Sequence, residues 1–294
     1  MIKEIVAKAA LLPTQNPENW FGAKYTMNIY RGCEHQCIYC DSRSDCYRIE
    51  QFEDVEVKVN ILDLLRKTLS GKRSKAVVGT GSMSDPYTLC EMSYGLTRKA
   101  LGLLASFGFG VHITTKSDMI LRDLDILRSF QNRVTVAFTL TTVIDGLAKT
   151  VEPFAPLPSQ RLSAMKTLAE AGIPVGVLMM PVLPYIEDTP EGIGRLLEAI
   201  VRHGASFCFW HVGMTCRDGQ RGYFYRKLDE HFPGLKERYR LQYGNQYSCP
   251  SPRREELDKT IQTFCDRTRL ITGFDVFLKR YPEHHPVQGK LFLE

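Results

Sequence analysis

Six short runs dense in apolar and β-branched residues recur along the chain, with helical patterns between them. "YTMNIYR" (25–31), "AVVGTG" (76–81), "GVHITTKS" (110–117), "VTVAFTLTT" (134–142), "PVGVLMMPVL" (174–183) and "SFCFWHV" (206–212) read as strands. "ILDLLRKTLS" (61–70), "GLTRKALGLLASFG" (95–108), "MILRDLDILRSF" (119–130), "PSQRLSAMKTLAEAG" (158–172) and "PEGIGRLLEAIVRHG" (190–204) carry apolar residues at helical spacing. Ser159 is expected to cap the fourth of these helices and Gly172 to stop it. Buried strands alternating with helices demand a parallel sheet with right-handed crossovers. The expected class is therefore α/β. Six such units form a partial (β/α)6 TIM-type barrel, with a doubly wound sheet as the alternative. After residue 213 the pattern changes to loops and helices rich in Tyr and Arg. Residues 1–213 are read as the core and 214–294 as a small C-terminal extension, a candidate substrate-binding element.

No run suits a membrane span. The longest apolar stretch, "GIPVGVLMMPVLPYI" (172–186), is short and holds three prolines. The N-terminal "MIKEIVAKAALLP" has Glu4 before its apolar part and makes a poor signal peptide. A cytoplasmic protein without membrane partners is expected. Nine cysteines in a chain of 294 residues, four of them clustered, do not suit a secreted disulfide framework.

The cluster lies in "YRGCEHQCIYCD" (30–41), where Cys33, Cys37 and Cys40 form Cx3Cx2C on the loop after the first expected strand. In parallel barrels, ligands bind at the carboxyl ends of strands. A structural zinc ion would need a fourth ligand, for which Cys46 and His35 are candidates. An iron–sulfur cluster can use three thiolates and leave one iron open to an exogenous ligand.

On this spacing, with Tyr39 just before the last cysteine, the chain resembles the radical S-adenosylmethionine superfamily. The resemblance implies a 4Fe–4S cluster on Cys33, Cys37 and Cys40. It also implies S-adenosylmethionine on the open iron, cleaved by one electron to a 5′-deoxyadenosyl radical. Further stretches resemble the spore photoproduct lyase-like branch: "GTGSMSDPYTLCE" (79–91), "ITTKSDMILRDLDIL" (113–127), "FTLTT" (138–142) and "EPFAPLPSQRLSAMKTLAEAGIPVGVLMMPVLP" (152–184). Carried over by position, Ser84 and Asp85 would receive the cofactor's amino group, Lys116 would face its carboxylate, and Thr139 would lie near its ribose or methionine. Tyr39 belongs to the same set. Two positions depart from the lyases. Ser82 stands where they carry a hydrogen-returning cysteine, and Asp41 where they carry tyrosine. Cys90, eight residues past Ser82, is the expected substitute donor.

The resemblance implies cleavage of a carbon–carbon bond in a DNA lesion of the thymine-dimer or spore-photoproduct type. A flavodoxin or ferredoxin would be the electron donor. The charge pattern agrees with a nucleic-acid partner. The net charge is +5, and residues 217–254 hold nine Lys/Arg against four Asp/Glu, which accounts for the whole excess. Seven aromatics are interleaved there: Tyr223, Phe224, Tyr225, Phe232, Tyr239, Tyr243 and Tyr247. Basic groups neutralise phosphates and aromatics stack on bases, although an amphipathic helix burying its rings has the same pattern. The alternatives are a peptide or small metabolite as substrate, and a non-catalytic zinc-stabilised nucleic-acid-binding module. Cys208, Cys216, Trp210, His211, His284 and His285 are weaker signals.

Overall fold

The computed structural model describes residues 1–49, 51–274 and 276–277. His284, His285 and the end of the extension lie outside them. Six parallel strands follow one another in chain order: β1 (Ala23–Met27), β2 (Val77–Thr80), β3 (Gly110–Thr115), β4 (Val134–Thr139), β5 (Val175–Val182) and β6 (Phe207–Thr215). Each pairs with the next, as in Val77↔Gly110, Val111↔Val134 and Val136↔Val175. The sheet ends in two short antiparallel strands, Leu12–Pro13 beside β1 and β7 (Ser248–Pro250) beside β6. This is the α/β partial (β/α)6 barrel that the alternation implied.

Helices α1 (Ile61–Ser70), α2 (Leu96–Ser106), α3 (Leu124–Ser129), α4 (Pro158–Glu170) and α5 (Pro190–Arg202) connect the strands. The longer ones each bury one stripe, and α3 buries Leu127 alone. In α5 the stripe is Ile193, Leu196, Leu197 and Ile200, where each fully buried side chain contributes roughly 1.5–3 kcal/mol. Thr189 caps α5, its side chain accepting from Gly192 N at 3.1 Å.

Three local expectations need correction. The first expected strand is two. The chain leaves β1 after Met27, and Tyr30–Arg31 joins a separate sheet by pairing with Val55–Lys58. Lys58 Nζ donates to Asn28 O at 2.6 Å across that break. The expected helix over 119–130 is a 3₁₀ turn, Asp118–Asp123, followed by α3. Buried Asp123, held by Arg98 and Arg122, occupies the joint. Ser159 is not the cap of α4. Leu157 takes that position with Pro158 first in the helix, because proline's missing N–H costs nothing there. Ser159 Oγ instead donates to Asp145 at 2.6 Å. Gly172 does stop the helix, at φ +79°.

The C-terminal region adds α6 (Gln220–His231), α7 (Leu235–Tyr243) and α8 (Arg254–Thr268). Helix α8 lies on α5 and β6. Helices α6 and α7 close a second core in which Phe224, Leu228, Tyr239 and Tyr243 pack with Cys37, Ile38 and Tyr39. Three of the aromatics expected to stack on bases are therefore buried, while Tyr247 remains exposed at 52%. Among the described residues no helix is long and apolar enough to cross a membrane.

Candidate functional site

Residue 32 lies between the small sheet and the cysteine loop. It must be glycine. Its φ is +76°, and a Cβ there would meet Phe52 O at 2.7 Å. Backbone bonds hold the loop in place: Cys33 N to Phe52 O at 3.3 Å, Ile38 N to Val151 O at 2.9 Å and Phe154 N to His35 O at 3.3 Å. The loop covers the carboxyl ends of β2, β3 and β4. Between them lies a cavity of about 530 Å³, its open mouth included, lined among others by Cys33, Cys37, Cys40, Ser84, Asp85, Lys116 and Thr139. Gly81 allows the close approach of β2 and β3 there, since a Cβ would fall 1.9 Å from Thr114 O.

All three cysteines are free thiols, Cys33 and Cys37 buried and Cys40 half-buried. Burial pushes their pKa values up, Cys37 to about 12. Asp85, and then Cys37 and Cys40 when ionised, raise Cys33 further, which places both thiols within electrostatic reach of it. Such a set is protonated when empty and ionises when a cation binds. Among the described residues no three Cys, His, Asp or Glu side chains converge as a single ion requires. Three thiols that line one cavity without meeting at a single point fit a multi-iron cluster better than a zinc ion. Cys46 is exposed, close to Ser44 and Arg217, and does not line the cavity.

Asp85 acts as a clamp. Its Oδ1 accepts from Tyr87 N at 2.9 Å and Thr115 Oγ1 at 2.7 Å, and its Oδ2 from Lys116 N at 2.7 Å. Ser84 Oγ donates to Tyr30 O at 2.9 Å. Both line the cavity, with their hydrogen bonding largely committed to the loops. Thr139 is buried at the end of β4 and also lines it.

Lys116 lines the cavity with its Nζ 3.8 Å from Glu152 and 5.6 Å from the Tyr39 ring centroid. Burial opposes its charge, but Cys37 once ionised and the Glu152 carboxylate hold the ammonium above its usual range. Tyr39 does not line the cavity. Its hydroxyl donates to Glu152, and its carbonyl accepts from Gln220 Nε2 at 2.7 Å. Glu152 is ion-paired with Arg161 at 2.6 Å. Burial raises the Glu152 carboxyl, and Arg161 and Lys116 bring it below the ordinary value. The sequence reading missed Glu152, Arg161 and Glu187. Their positions in "EPFAPLPSQR" and "PYIED" gave no sign of convergence beneath the cysteine loop.

Cys90 is buried in the main core, and its backbone N–H donates to Glu34 at 2.7 Å. Burial and then Glu34 push its thiol up to about 12. It does not line the cavity, so a hydrogen-donor role would require the segment from Ser82 to Cys90 to rearrange. Cys208 sits in the main core with its thiol 3.5 Å from Met179 Sδ, and Cys216 sits in the second core with Cys249. Trp210 and His211 flank a separate surface groove.

Glu187 carries a pH prediction. Thr141 Oγ1 and Leu183 N donate to its carboxyl at 2.6 and 3.0 Å, yet burial pushes its pKa up to about 8 from the ordinary 4.5. Below the lower value both folded and unfolded chains hold the proton. Between the two values only the folded chain does, so stability falls as pH rises across that window and levels off above it. Glu187→Gln is expected to gain on the order of 3 kcal/mol relative to wild type between pH 5 and pH 8. Urea unfolding of the apoprotein at both pH values measures this, and an equal difference at the two would count against it.

A family model described as the Radical SAM superfamily matches residues 27–197. An uncharacterized protein of Mycobacterium tuberculosis is 31% identical over 278 residues, covering 91% of this chain and 81% of that one. The fold is similar to that of a spore photoproduct lyase mutant with bound AdoMet and dinucleoside spore photoproduct. That match has a TM-score of 0.67 at 16% identity, covering 91% of this chain and 79% of the lyase. It is also similar to Streptococcus suis SuiB bound to its precursor peptide, with a TM-score of 0.52 at 13% identity, covering 84% and 47%.

Proposed function

We propose, from the premise that this chain belongs to the radical S-adenosylmethionine superfamily, that it is a lyase cleaving a carbon–carbon bond in a damaged pyrimidine of DNA. The superfamily uses a 4Fe–4S cluster and S-adenosylmethionine, which together supply a 5′-deoxyadenosyl radical that takes hydrogen from a substrate carbon. The observation that carries the reading is one cavity lined by three free thiols, two of them buried and one half-buried, and a lysine. Cys33, Cys37 and Cys40 would hold the cluster through three irons. Lys116 offers an ammonium to the methionine carboxylate, and Thr139 a hydroxyl to the ribose or methionine. Phe52 and Met83 add apolar surface to the same cavity. A cytoplasmic setting, which keeps thiols reduced, and a one-electron donor such as flavodoxin or ferredoxin belong to the proposal.

DNA as the substrate is supported by the fold's likeness to the lyase and by the basic 217–254 segment. Arg217 lies over the exposed Tyr247 ring at 4.9 Å and 3.1 Å from Asp41, next to the last cluster cysteine. A peptide substrate is a second reading, favoured by the burial of Phe224, Tyr239 and Tyr243, which removes them from base stacking. The test is anaerobic incubation of the reconstituted protein with dithionite, S-adenosylmethionine and ultraviolet-irradiated thymine oligonucleotides. Formation of 5′-deoxyadenosine with recovery of thymine is expected. Formation of 5′-deoxyadenosine with the lesion intact, and no salt-sensitive binding of the oligonucleotide, would move the substrate to the peptide class.

A further inference from the structure

His35 lies between the first two proposed cluster cysteines, is 2% exposed and is among the residues lining the cavity. Its Nδ1 is 3.5 Å from Asp85 Oδ2. Its Nε2 is buried and has no hydrogen-bond partner among the described residues, the one such side-chain atom on a residue of the cavity lining. An orphaned polar atom at that depth is costly and calls for a partner that the chain itself does not supply, such as a bound ligand, ion or water.

The chemistry of that partner follows from the tautomer. A neutral imidazole has one N–H and one lone pair. With Nδ1 facing a carboxylate, the proton belongs on Nδ1 and the lone pair on Nε2. The wall of the cavity therefore holds a buried acceptor for a group bearing N–H or O–H. Asp85, the residue expected to receive the cofactor's amino group, already accepts from Tyr87, Thr115 and Lys116. Ser84 donates its hydroxyl to Tyr30 O and keeps acceptor lone pairs on the oxygen, which accept less strongly than an imidazole nitrogen.

We propose that His35 is the residue that receives the amino group of S-adenosylmethionine, its Nε2 accepting one of the amino hydrogens. The proposal rests on the superfamily reading. Asp85 then acts through His35 and the loops, as a positioning residue.

The test is equilibrium dialysis of S-adenosylmethionine, and of its analogue lacking the amino group, against anaerobically reconstituted wild type, His35→Ala and His35→Gln. Iron and sulfide are assayed on every sample. His35→Ala is expected to bind S-adenosylmethionine about tenfold more weakly, which corresponds to roughly 1.4 kcal/mol, and to bind the deaminated analogue as wild type does. His35→Gln, whose amide oxygen can accept, is expected to recover part of the loss. Equal weakening of both ligands, or unchanged binding of S-adenosylmethionine, overturns the proposal. Loss of iron from both variants also overturns it, because the ring would then serve the cluster loop. A wild-type protein that takes up no iron would instead remove the cluster premise.

Discussion

Alanine in place of Cys33, Cys37 or Cys40 is expected to give a chain that folds, takes up no stable 4Fe–4S cluster and forms no 5′-deoxyadenosine above background. The physical reason is the donor count. Three thiols share the cavity, and among the described residues no further cysteine lines it, so removing one leaves two protein ligands for a cluster that needs three. Replacing groups that merely support metal ligands costs 10- to 100-fold, and loss of a ligand should exceed 100-fold in S-adenosylmethionine cleavage. The fold should survive. Each thiol is protonated when the site is empty because burial pushes its pKa up, so no buried charge is stranded. Cys46→Ala serves as the control. Its thiol is exposed and outside the cavity, and full iron content with full cleavage is expected. Iron and sulfide analysis, with electron paramagnetic resonance of the reduced protein, decides the matter. A normal cluster in any of the three single variants, or its loss in Cys46→Ala, would contradict the assignment.

The largest effect on stability is expected at Arg161. Its side chain is 1% exposed. Its Nε donates to Pro156 O at 2.7 Å, one terminal nitrogen donates to Thr139 O at 3.1 Å, and the other pairs with Glu152 at 2.6 Å. Arg161→Leu would leave two carbonyls without their donor and a buried carboxylate with Lys116 and Tyr39 alone. Breaking one side of a buried pair costs about 3–5 kcal/mol, most of it the stranded charge. Arg161→Leu combined with Glu152→Gln should therefore recover part of that loss. The damage should also reach the site, because Tyr39 is bonded to Glu152 and lies between Cys37 and Cys40. Urea unfolding of the apoprotein measures the first effect and cluster content the second. A loss below about 1 kcal/mol for the single variant would show that the pair is not a structural centre.

The periodicity of 76–81, 110–117, 134–142, 174–183 and 206–212 was enough to place five of the six parallel strands within a few residues. An apolar run between helices has no other stable place than a covered sheet. The first strand is not set by local pattern alone. "YTMNIYR" is continuous in β propensity, and its break at Asn28 depends on pairing with Val55–Lys58, which no local pattern announces. Ser159 failed as a cap for a similar reason. Pro158 makes an equally good helix start, and Asp145, fourteen residues upstream, takes the serine hydroxyl. The aromatic rings of 217–254 could be stacked or buried on sequence alone. The second core decided for burial at Phe224, Tyr239 and Tyr243 and left Tyr247 outside.

By itself the sequence determined the spacing of the three proposed ligands and the class of fold. Thiol spacing within eight residues is a local property, and apolar alternation admits few architectures. Only the tertiary structure decided which groups meet around those thiols. It brought Lys116, Thr139 and His35 to the cavity, set Glu152 and Arg161 beneath it, and left Cys90 behind the loop. Such meetings depend on strand register and loop closure between residues far apart in the chain. The energies that select them come from burial and charge pairing, and neither exists before the chain has folded.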